Sequence, residues 1–160
     1  MKITELVSRF EFYAQNHSLI KHDPENKKEK AFELFDMESL VVSNRTGLKY
    51  PALFFKTPEV QKDGDPDNVV EGYDTSFFVL LPVAQNDFRG KAAAFDHCKS
   101  ICDDIFSRIL QDDFFDGIEV GTSEGEIGPV IDNCYGWGIT FTIQKGFDAE
   151  VKANVWEDLE

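Results

Sequence analysis

The chain has 160 residues, a length that fits one domain over 1–160 and buries a core without staples. Hydrophobic residues make up 42% of it, with fifteen Phe, which excludes a disordered chain. The net charge of −14 excludes a protein that grips phosphate backbones or anionic membranes, and favours a basic partner or repulsion of polyanions.

In chain order, the start "MKITE" lacks the charged-then-apolar layout of a signal peptide. The longest apolar run, Phe77 to Ala84, is broken by Pro82 and is too short to span a bilayer. Cytoplasmic synthesis is therefore expected. "ITELVSRFEFYAQN" carries Ile3, Leu6, Val7, Phe10 and Tyr13 at the spacing of an amphipathic helix. Residues 21 to 31 are polar around Pro24 and predict a loop. "FELFDMESLVVSN" fits a helix through Phe32, Phe35 and Leu40, or a strand at Leu40-Val41-Val42; a mixed segment is expected.

"YPALFFKTP", bracketed by Pro51 and Pro58, predicts a buried strand. "YDTSFFVLLPV" places Tyr73, Thr75, Phe77, Val79, Leu81 and Val83 on one face. Phe78 and Leu80 fall on the other, so the strand's centre is buried on both sides. With the polar stretch between them, the two strands make a long β-hairpin. "FRGKAAAFDHCKSICDDIFSRILQDDF" is the clearest helix, with Asp87 as N-cap. Its expected apolar stripe is Phe88, Ala92, Phe95, Cys98, Ile101, Cys102, Ile105, Ile109 and Leu110. "GIEVGTSEGEIGPVID" is strand-like with loop punctuation. "YGWGITFTIQKG" alternates, with Trp137, Ile139, Phe141 and Ile143 inward. The tail "FDAEVKANVWEDL" fits both periods. The whole is an α+β fold: a mainly antiparallel sheet, a long helix and an N-terminal helix packed on one face, and a protruding β-hairpin arm.

The chemistry is sparse. "QKDGDPDN" spells Asp63, Asp65 and Asp67 as positions 1, 3 and 5 of an EF-hand loop, with Asp74 at position 12. Position 6 is Asn68 where the motif needs Gly, position 12 is not Glu, and the flanks are strands. These four aspartates are weak metal candidates, and a solvated hairpin tip is the plainer reading. Cys98 and Cys102 share a helix face with His97 nearby, but only Cys134 remains as a further thiol, so core packing is expected and not zinc. His17, His22 and His97 are scattered. The acidic pairs Asp103-Asp104 and Asp112-Asp113 are expected to be solvated surface. No G-x-S-x-G elbow or phosphate-binding glycine loop is spelled. No catalytic residue and no cofactor are expected.

The stretches "LKYPALFFKTPEV", "YDTSFFVLLPV" and "FRGKAAAFDHCKSICDDIFSRIL", closed by "NCYGWGITFTIQK", are similar to the tail terminator (tail completion) proteins of tailed bacteriophages and prophages. The resemblance covers roughly residues 1 to 145. It implies an N-terminal helix, a strand entered through an aromatic-Pro step, a hairpin, a long helix and closing strands. It also implies a non-enzymatic structural protein that forms a homo-oligomeric ring, often a hexamer, on the end of a tail tube. Such a protein meets other tail or neck proteins, without specific nucleic-acid or membrane binding. It would be made in a bacterial cytoplasm and incorporated into a virion or tail-like particle. Contacts are expected from the arm tip, Val60 to Gly72, through Lys62, Asp65, Asp67, Val69 and Val70. A polar loop from Thr122 to Pro129 would add Glu124 and Glu126. Two other readings remain: a calcium- or ligand-binding regulatory module built on residues 63–74, and an enzyme using an unselected pair of carboxylates.

Overall fold

The architecture comes from a computed structural model that describes residues 1–35, 47–65, 67–118, 122–130 and 133–148. Leu40-Val41-Val42 and the tail beyond residue 148 lie outside the described residues.

Helix α1, Ile3–Asn16, buries Leu6, Phe10, Tyr13 and Ala14, one residue every three or four, as its periodicity predicts. Ile3 is the exception and stays 41% exposed. Strand β1, Phe32–Phe35, is a short strand, so the ambiguous segment begins extended and not helical. Strands β2, Ala52–Asp65, and β3, Asn68–Pro82, form the expected hairpin. Helix α2, Phe88–Ile109, follows, and its Asp87 cap accepts the Gly90 N–H at 2.8 Å. A 3₁₀ turn spans Asp113–Phe115. Strands β4, Ser123–Val130, and β5, Cys134–Gly146, complete the order.

The sheet order is β1-β2-β3-β5-β4. β1 runs parallel to β2, and every other pairing is antiparallel. The fold is thus α+β, with the two described helices on the sheet: α1 over β2 and β1, α2 over β5 and β3. Phe10 is the hub of the main core. Its ring stacks on Phe55 at 4.1 Å and meets Phe77 at 5.5 Å and Phe115 at 6.0 Å.

The stripe of α2 holds as expected from Cys98 to Ile109 and departs from the expected one at the helix ends. Ala94, Cys98, Ile101, Cys102, Ile105 and Ile109 are buried, while Ala92 faces solvent. Phe88 and Leu110 are 83% and 59% exposed, at the first residue and the C-cap of the helix. Cys98, Cys102 and Cys134 are buried thiols. Burial pushes the Cys98 thiol up to about 12 and raises Cys102 as well, as expected for core packing.

The opposite face carries a second, smaller cluster: Phe35, Ala52, Phe54, Phe78, Leu80 and Cys134. Phe54 and Phe78 stack there at 5.2 Å. Gly136 lets β5 approach β3 on this side, since a Cβ would fall 1.8 Å from the Val79 carbonyl oxygen.

Candidate interaction site

The arm is the continuation of β2 and β3 past the helices. The last described rung of β1 on β2 is Phe35↔Lys56, and just beyond it the pairing of β2 with β3 shifts register between Lys56 and Glu59. From Glu59 to Asp65 every residue of β2 is exposed. Among the described residues, only β3 pairs with this length of β2, along one of its two edges. β3 is backed on its other side by β5, from Val70↔Gly146 onward, so the arm has three strands nearly to its tip.

At the tip, Asp65 faces Asn68 across the turn. Gly64 closes it with φ +107°, where a Cβ would sit 2.2 Å from the Asn68 carbonyl oxygen. The Asp63 carboxylate accepts the Gly64 N–H at 2.7 Å. Lys62 lies 3.6 Å from Glu71 and 3.5 Å above the Phe147 ring. Tyr73 donates to Glu71 at 2.5 Å, and burial together with that carboxylate pushes its phenol up to about 12. Val69 and Val70 are half-buried, and Asp67 is exposed in the turn.

The four candidate metal ligands do not converge. Asp74 faces Glu59 while Asp65 faces Asn68, a separation of about 20 Å along a strand. The Asp74 carboxylate already accepts Thr142 Oγ at 2.6 Å and Gln61 Nε2 at 3.3 Å. Among the described residues no three His, Cys, Asp or Glu side chains group to hold a metal ion.

Glu124 and Glu126 belong to strand β4, not to the polar loop expected over Thr122 to Pro129. The hydrogen-bonding ladder with β5 overrides the loop-like glycines. Glu124 accepts the Trp137 Nε1–H at 3.0 Å and Lys99 at 3.3 Å. Those two donors, the indole first, hold its carboxyl below the usual range. Glu126 faces Trp137 across the ladder. From there to the Val70↔Gly146 rung is about 30 Å along β5. The structure therefore sets the two expected contact elements apart, one at the far end of the arm and one on a sheet edge.

Three features escaped the sequence reading. Asp112 is not solvated surface: its side chain is 14% exposed, and it accepts Tyr13 Oη at 2.5 Å with Arg9 at 3.4 Å. His22 lies in the loop as expected, but it is buried. A shallow groove of about 500 Å³ on the face opposite α1 and α2 is lined by Phe35, Phe78, Ile127 and Val130, over the bare backbone of Gly125 and Gly138. The only signal for the groove is the pairing of two glycines in adjacent strands, invisible without the register.

No family model, curated protein or solved structure matches this chain. No described helix is long and apolar enough to cross a membrane.

Proposed function

We propose that this protein is a non-enzymatic assembly protein of the tail terminator kind, acting through protein surfaces in a phage or prophage tail. The observation that carries the reading is the arm. A β-strand edge from Glu59 to Asp65 is held out beyond the helices on a three-stranded support, among the described residues without a strand beside it. Such an edge gains by pairing with another chain. The element order, helix, strand, hairpin, long helix, strands, agrees with the order that the resemblance implies. A charge of −14 suits a ring that passes DNA without holding it, since like charge repels the polyanion.

Size-exclusion chromatography with light scattering, alone and with tail tube protein, tests the reading. A ring-sized species or a complex with the tube supports it. A chain that stays monomeric at all concentrations and ignores tube protein overturns it. Heat on titration with millimolar calcium would instead assign the acidic tip to a metal.

A further inference from the structure

We propose that His22 is a proton-operated clip that fastens the loop over residues 17–31, and with it the start of β1, to the rest of the fold. The His22 side chain is 2% exposed. Its Nδ1 accepts the buried Ala31 N–H at 3.0 Å, and its Nε2 lies 3.3 Å from the Glu11 carboxylate on α1. A ring nitrogen that accepts an N–H carries no proton of its own, so the neutral tautomer here has its hydrogen on Nε2 and donates to Glu11. The His22 backbone N–H donates to Ala14 at 3.0 Å, which fixes where the ring enters. Phe32 of β1 closes over it, with ring centroids 5.9 Å apart.

A second proton on the ring must go to Nδ1. It would then point at the Ala31 N–H, donor against donor, and a buried amide would lose its partner. On the other side of the ring the Glu11 carboxylate, 3.3 Å from Nε2, would pair with the resulting cation. Three of the loop's own charges have other partners. Asp23 accepts the Glu25 N–H at 3.0 Å, Glu29 pairs with Lys49 at 2.5 Å, and Lys30 pairs with Glu33 at 2.9 Å. Proton uptake thus exchanges the Ala31 bond for an ion pair to Glu11, and the cheapest way to do so is to let Ala31 move.

Ala31 sits where this matters. Its carbonyl accepts the Leu53 N–H at 2.9 Å, and the next residue begins the four-residue parallel ladder of β1 on β2. Loosening Ala31 loosens β1. That uncovers the edge of β2 at Leu53–Lys56, continuous with the edge of the arm that has no strand beside it among the described residues. Acidification would therefore lengthen the strand edge available to a partner.

The test is the amide exchange rate of Ala31 by NMR between pH 8 and pH 5, corrected for intrinsic chemistry, in the full chain. Protection is expected to fall about tenfold or more as the imidazole gains its proton. In His22→Asn the amide oxygen can take the place of Nδ1 and cannot titrate, so protection should then be flat with pH. The ring ¹⁵N shifts of the unmodified protein supply the check if that variant does not fold: an unprotonated Nδ1 at pH 8, becoming protonated in step with Ala31 release. Unchanged Ala31 protection while the ring gains its proton, or the same pH dependence in His22→Asn, would overturn the proposal.

Discussion

At the scale of single residues, the buried polar contacts say more than the charged surface. Asp112 is the clearest case. Burial works against its charge, but the Tyr13 hydroxyl, the Phe114 N–H, Arg9 and Arg108 together hold its carboxyl below the usual value. Tyr13 shows the other half of the bond: burial and the carboxylate raise its phenol far above the usual range. The sign follows from the lowered carboxyl. Its contribution is fully present above about pH 4 and is lost as pH falls below that, through the lower folded value. In Asp112→Asn, acid unfolding monitored by circular dichroism should lose this part of its pH dependence. At pH 7 the same variant should cost about 1–3 kcal/mol in urea titration, from Tyr13 and Arg9 left with a weaker partner. Full retention of the acid midpoint and of stability would contradict the assignment. Nothing in the spelling "QDDFF" separates Asp112 from Asp113; only Tyr13, some hundred residues away, does so.

At the scale of elements, local signals decided most of what could be read in advance. The Asp87 cap, the 3.6-residue stripes of both helices and the alternation of β5 are all statements about neighbours in sequence, and the structure agrees with each in kind. Asp87→Ala should therefore cost about 1 kcal/mol, a drop of about 2–4 °C in the melting temperature. An unchanged melt would mean the helix starts elsewhere. What could not be read depends on partners far off in the chain. Whether Ala92 or Ala94 faces the sheet depends on where α2 lies on β5 and β3. Whether "SEGEIGPV" is loop or strand depends on β5 offering it a ladder. Sequence alone made the tip aspartates weak metal candidates beside the plainer reading of a solvated hairpin tip, and spacing could not place Asp74. The register shows Asp74 on a rung well below the others. His22 became informative only when Ala31 and Glu11 were seen on either side of its ring.

At the scale of the whole molecule, the helices and the arm divide the sheet lengthwise. Shortening the arm should separate folding from assembly. The pairs Lys62↔Glu71 and Asp63↔Val70 are two adjacent rungs. Removing all four residues takes out about 7 Å and keeps every remaining side chain on its own face. The shortened protein should melt within a few degrees of the full chain, since β2 is exposed throughout that stretch. It should at the same time lose any ring or tube complex seen by light scattering. A shortened chain that assembles as before would place the contact surface elsewhere.

The long β3–β5 ladder has a mechanical side. Its rungs run without a break from Val70↔Gly146 near the tip to Pro82↔Cys134 at the far end. A pull on the tip along the strands therefore loads this seam in shear, sharing the force among many hydrogen bonds at once instead of peeling them one by one. The outer strand β2, whose pairing shifts register between Lys56 and Glu59, has no such continuous seam and is the first to yield. A partner gripping the arm would thus hold a stiff rod with one compliant side. It could adjust its hold on β2 while tension passes along β3 and β5 into the body of the protein.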